Sequence, residues 1–196
     1  KALNIEENTM IFFLSDNGGN ENKGAYNGVL RKGKGSLHEG GIRVSFAMQW
    51  KSKVPSGMVY ENPIISLDIF ATIAKYAQAA PKNTLDGVDL VPFLNGNKEG
   101  LPHQELYWRM FDKDFIAVRQ NNLKLLKDKN GILSVYNLEN DISEKNVLND
   151  NITLSKLKTL HLNWNSLNKN PIFDGLKQNK AYNTKHPDRF KNVEKY

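Results

Sequence analysis

Apolar and polar positions fall into three patterns along this chain. The first is an unbroken apolar run, Met10-Ile11-Phe12-Phe13-Leu14, closed by Ser15-Asp16-Asn17-Gly18-Gly19. Such a short run predicts a strand buried on both faces, as in parallel sheets covered by helices on either side. From residue 16 to residue 41 the chain is rich in Gly and Asn and has no apolar period, so it reads as a long loop. Residues 42–50 then alternate and predict a second strand, with a turn at Lys53-Val54-Pro55-Ser56-Gly57.

The second pattern is helical. Leu67, Phe70, Ile73, Ala74 and Ala77 recur at helical spacing behind Ser66, a suitable N-cap, with Asp68 in the first turn. They predict an amphipathic helix over residues 66–78, which Pro81 helps to end. Asp86-Gly87 makes a turn, and residues 91–94 form a short helical piece.

The third pattern begins near Leu101. Residues 105–110, 115–120, 123–128 and 133–138 read as four short strands, joined by Asn121-Asn122 and by Lys129-Asn130-Gly131. They predict an antiparallel meander, with a helix carrying Leu154, Leu157, Leu160, Leu162 and Trp164 laid against it. The polar tail after Asn168 is expected to wrap the surface. The domain reading is therefore an α/β portion over residues 1–101, then a small antiparallel sheet with a packed helix (α+β) over 102–196.

Composition narrows the chemistry. The chain has 196 residues and no cysteine, which removes disulfides, thiolate nucleophiles and Cys-ligated metals. No apolar run approaches the roughly 18–20 residues of a membrane-crossing helix. The 27 Lys+Arg against 21 Asp+Glu give a net charge of +6, spread along the chain and not gathered into a stripe. A scattered excess of this kind reads first as a solvated surface, and the basic-aromatic pattern of a nucleic-acid binder is absent.

Two places carry candidate chemistry. Asp16-Asn17 lies where a strand emerges into a loop, the end of an α/β sheet at which ligands bind. Its carboxylate and amide oxygens are hard ligands suited to Ca²⁺ or Mg²⁺, although the same residues also make an ordinary turn. Further along, Gly28-Val29-Leu30-Arg31-Lys32-Gly33-Lys34-Gly35 comes near a phosphate-binding loop but has Gly35 where Ser or Thr must follow the lysine. What remains is Lys34 between two glycines, an arrangement that lets backbone and ammonium approach a tetrahedral oxyanion. Glu39 and Arg43 read as a structural pair at the entry of the second strand.

These segments resemble the second half of the formylglycine-dependent sulfatases, enzymes of alkaline phosphatase-like fold. The resemblance is carried by Phe13-Leu14-Ser15-Asp16-Asn17-Gly18-Gly19 and by the run from Leu30 through Lys34, His38 and Glu39 to Val44. Further stretches follow in order: residues 66–72, Leu85-Asp86-Gly87-Val88-Asp89-Leu90, Ala117-Val118-Arg119, Leu123-Lys124-Leu125, and Tyr136 to Asp141 with Glu144 and Asn146.

The resemblance implies that Asp16 and Asn17 bind the divalent cation, usually Ca²⁺, and that Lys34 contacts the sulfate group and steadies charge during transfer. His38, in the same loop, could touch substrate. The family's nucleophile, a formylglycine made from Cys or Ser in a Cys/Ser-x-Pro-x-Arg motif, has no counterpart here. The chain is thus expected to be the C-terminal portion of a sulfatase, inactive by itself and completed by an N-terminal half. The expected substrate is a sulfated small molecule or carbohydrate, and the full-length enzyme is expected to be periplasmic or secreted. A phosphate mono- or diester hydrolase of the same superfamily, or a non-catalytic binder of sulfated glycans, is the alternative.

Overall fold

The computed structural model describes residues 2–171 and 184, so most of the predicted surface tail lies outside the described residues. The chain forms two compact units that alternate along the sequence: Lys1–Gly18 with Arg43–Leu106, and Gly19–Ile42 with Tyr107–Tyr196. The long Gly-rich loop thus belongs with the C-terminal sheet, whereas a linear division at residue 101 would group it with the first strands.

In the first unit, strand β1 (Ile11–Leu14) pairs antiparallel with β2 (Phe46–Gln49), in the register Phe12 to Met48 and Leu14 to Phe46. Within the described residues the pairing of this strand is thus antiparallel, where the apolar run suggested a parallel one. Phe12 packs against Phe46, with ring centroids 6.2 Å apart. On the opposite face Ile11 and Phe13 are 51% and 70% exposed. The second strand also starts later than the alternation suggested, at Phe46, because residues 39–42 close into a helical turn, α1 (Glu39–Ile42).

Helix α2 (Leu67–Tyr76) forms where expected, but it docks by a different face. Ala71 and Ala74 are buried together with Asp68 and Thr72, while Leu67, Phe70 and Ile73 are exposed, Phe70 by 58%. The polar residues explain the docking. Asp68 accepts the N–H groups of Ile65 and Val88, each at 2.9 Å, and lies 2.8 Å from His103 Nε2. Thr72 Oγ1 accepts the Leu90 N–H at 3.0 Å. Ser66 makes no side-chain cap, and Asp68 instead reaches back to the Ile65 N–H ahead of the helix. Gly87 allows this approach, since a Cβ there would lie 2.2 Å from the Leu67 carbonyl oxygen. The short helix α3 (Val91–Leu94) follows, as the sequence suggested.

The second unit is built on the predicted meander: β3 (Glu105–Met110), β4 (Phe115–Gln120), β5 (Leu123–Lys127) and β6 (Leu133–Asn137), in that order across the sheet. Both of its faces are covered. Helix α4 (Asn151–Ser166) packs on one face, where Leu157 is fully buried against Val118, Leu125 and Val135. Burial of such a leucine contributes roughly 2 kcal/mol. Asp150 caps α4 by accepting the N–H groups of Ile152 (2.9 Å) and Thr153 (3.2 Å), and Trp164 stacks on Tyr107. Leu162 points away and is exposed, because it lies about 200° round the helix from Leu160; His161 takes the buried position. On the other face Leu37, from the Gly-rich loop, joins Ala117, Leu126, Tyr136 and Leu138. That loop is therefore the second cover of the sheet.

Candidate functional site

The end of β1 places Asp16 and Asn17 side by side in the first unit. Asn17 Nδ2 donates to Asp16 Oδ1 at 3.0 Å and to the Gly18 carbonyl at 3.3 Å, while Ser15 Oγ donates to the Asn17 carbonyl at 2.7 Å. This turn holds both side chains by their neighbours and leaves Asp16 Oδ2 and Asn17 Oδ1 without partners among the described residues. Two hard oxygens fit a divalent cation. They supply only part of a shell that in Ca²⁺ sites numbers about 6–8 ligands. Among the described residues no group of three or more His, Asp or Glu gathers as a metal site.

Lys34 and His38 lie together on the Gly-rich loop, in the second unit. Its backbone is tied at several points. Asn27 Nδ2 donates to the carbonyls of Gly19 (3.0 Å) and Lys32 (3.1 Å), Lys34 N–H donates to Gly19 O at 3.0 Å, and Lys113 Nζ donates to Gly35 O at 3.0 Å. The glycines are required by these approaches. A Cβ on Gly33 would sit 2.1 Å from Gly19 O, and one on Gly40 would sit 2.0 Å from Lys32 O. The Lys34 side chain is exposed, and its ammonium has no partner among the described residues. A fixed backbone carrying a free cation is an arrangement suited to an oxyanion.

Beneath this loop is a buried charge network that sequence reasoning assigned no function. Glu39, in α1, reaches inward to Lys124 Nζ at 2.6 Å, with Arg119 at 3.9 Å. Lys124 and Arg119 are cross-strand neighbours on β5 and β4, on the face that the loop covers. Two like charges so placed repel, and Glu39 between them offsets the repulsion. Lys124 also lies 2.9 Å from Glu144 Oε1, as an ion pair without a well-directed hydrogen bond. Glu144 Oε2 accepts the Glu39 N–H at 2.8 Å and meets His38 Nδ1 at 3.1 Å. Arg31 Nη1 donates to the Glu144 carbonyl at 2.6 Å. Burial, the largest single influence, pushes the Glu144 carboxyl up. The His38 hydrogen bond, the Lys124 charge and the Glu39 N–H together outweigh it and hold the carboxyl below the usual range. Glu144 is therefore ionised. The one local hint was a lysine within the apolar strand Leu-Lys-Leu-Leu-Lys.

Comparison with known proteins agrees in sequence and in fold. The C-terminal family of N-sulphoglucosamine sulphohydrolase matches residues 32–170, a span that includes Lys34, His38, Lys124 and Glu144. Arylsulfatase A of Homo sapiens is 37% identical over 110 residues, covering 54% of this chain and 21% of that protein. Steryl-sulfatase of Mus musculus is 34% identical over 115 residues, covering 54% of this chain and 18% of that protein. The chain thus spans about a fifth of the length of these curated relatives. The crystal structure of Ps i-CgsB in complex with k-i-k-neocarrahexaose superimposes with a TM-score of 0.81 at 32% identity, over 98% of this chain and 44% of that one. With the family matched over most of its length, the chain belongs to the sulfatases and corresponds to their C-terminal portion.

Proposed function

We propose that this chain is the C-terminal portion of an enzyme that hydrolyses sulfate esters of carbohydrates. The observation that carries the reading is the 32% identity over 98% of the chain to a protein crystallised with k-i-k-neocarrahexaose, a carrageenan oligosaccharide. The free Lys34 ammonium on its clamped loop supports it. In the complete enzyme a formylglycine and a divalent cation, Ca²⁺ or Mg²⁺, would supply the nucleophile and neutralise charge on the sulfate.

The chain's own residues bind, orient and balance charge. Asp16 Oδ2 and Asn17 Oδ1 would hold one side of the cation. Lys34 donates to a sulfate oxygen and meets the charge that grows on it as the ester bond breaks; a donor fixed in advance pays no reorganisation at that moment. The ammonium breaks no protein ion pair among the described residues to do so. His38 faces the substrate beside it.

The rest of the enzyme is the partner this chain requires. Ile11 and Phe13 on β1, and Leu67, Phe70 and Ile73 on α2, present apolar surface of the kind that marks a packing interface. The complete protein is read as periplasmic or secreted; no described helix of this chain is long and apolar enough to cross a membrane.

The test is release of inorganic sulfate by the complete protein from k-i-k-neocarrahexaose and from an aryl sulfate. Sulfate release is expected. Faster release of phosphate from a phosphate ester would favour the phosphohydrolase reading, and binding without release would favour a non-catalytic one.

A further inference from the structure

His38 is held by a residue 106 positions away, and the manner of holding says what it can recognise. Glu144 is fully buried, and an ionised carboxylate can only accept hydrogen bonds. The contact of its Oε2 with His38 Nδ1 therefore requires the proton to be on Nδ1. In the neutral ring Nε2 is then an acceptor. The His38 side chain remains 20% exposed, and Nε2 has no hydrogen-bond partner among the described residues. Sulfate oxygens offer no proton, so Nε2 of the neutral ring does not pair with the sulfate group itself. It suits a hydroxyl donor on the molecule that carries the sulfate.

We propose that Glu144 is a positioning residue acting through His38, fixing the ring so that Nε2 accepts a hydrogen bond from a hydroxyl of the sulfated sugar. The proposal rests on the sulfatase reading given above. Oε2 serves two ends of one device, since it also accepts the Glu39 N–H and so sets the turn that follows His38. Lys124 balances the Glu144 charge from within the sheet, and the Arg31 guanidinium secures its carbonyl. Lys34 would read the anion and His38 the sugar.

The experiment measures kcat/KM of the complete enzyme on k-i-k-neocarrahexaose and on 4-nitrophenyl sulfate, which has no hydroxyl. His38→Ala should lower the ratio of sugar to aryl efficiency about 10- to 100-fold, as expected when a hydroxyl loses its buried partner. Glu144→Gln should lower the same ratio in the wild-type background and add no further loss in the His38→Ala background. It should lower the thermal midpoint in both backgrounds. Should Glu144→Gln fail to fold, Glu144→Asp carries the same test, because it keeps the charge beside Lys124 but draws the carboxylate back from His38. Equal losses on the two substrates would overturn the proposal, as would a Glu144 effect that is the same with and without His38. Absence of sulfate release by the wild type from either substrate would instead overturn the sulfatase reading.

Discussion

His161 is buried on the sheet side of α4, with Nε2 sealed from solvent and without a hydrogen-bond partner among the described residues. Burial, and next the nearby charges of Lys127 and Arg109, lower its pKa below the ordinary 6.5, against a smaller opposing pull from Asp114. The unfolded chain thus takes a proton more readily than the native one. The stability tied to this histidine is complete above about pH 6.5 and is lost progressively as the pH falls from there through the lowered native value. Thermal unfolding followed from pH 7 to pH 5 should show a smaller fall for His161→Phe than for the wild type. Equal falls would show that some other group sets the acid sensitivity in this range. Glu144 acts lower on the scale: its contribution is present above its ordinary 4.5 and is lost as the pH falls through the depressed native value. Neither role was legible locally. Lys124 meets Glu39 across 85 residues and His38 meets Glu144 across 106, and no spacing rule reaches that far.

Among the elements, the C-terminal strands were the most readable, because each pairs with its neighbour through a short turn and needs only local signals. Strand β1 was read less well. Its apolar run spoke of a parallel neighbour, but within the described residues its sheet partner is β2 alone and antiparallel, and its open face is the one assigned above to the rest of the enzyme. Helix α2 formed as its stripe predicted, but within this chain a buried aspartate and threonine dock it, and the bulky stripe is left to the interface assigned above. The Gly-rich loop had no period to read, yet it is tightly built. Gly40→Ala tests this, because the added Cβ would lie 2.0 Å from Lys32 O and 2.6 Å from Arg31 O, both backbone atoms of the loop. The loop must shift, so the variant should lose thermal stability and should lose turnover in the complete enzyme. Wild-type values of both would mean that the segment is slack and not clamped.

At the scale of the whole molecule, the two compact units each carry one part of the proposed chemistry: Asp16 and Asn17 in the first, Lys34 and His38 in the second. That division could not be read along the chain, because residues 19–42 join the sheet through Leu37, Glu39 and contacts that only the fold creates. The metal role makes its own prediction. Asp16→Ala in the complete protein should weaken Ca²⁺ binding in a calorimetric titration, and an unchanged titration would remove Asp16 from the site.

The most direct measurement is kcat/KM for sulfate release by the complete enzyme carrying Lys34→Ala. The expected loss is about 10²- to 10³-fold, the scale of removing one preorganised donor from a developing oxyanion. Thermal unfolding should be unchanged, since the exposed ammonium has no partner among the described residues. Turnover within a few-fold of the wild type would contradict the assignment of this loop as the sulfate-binding side of the active site.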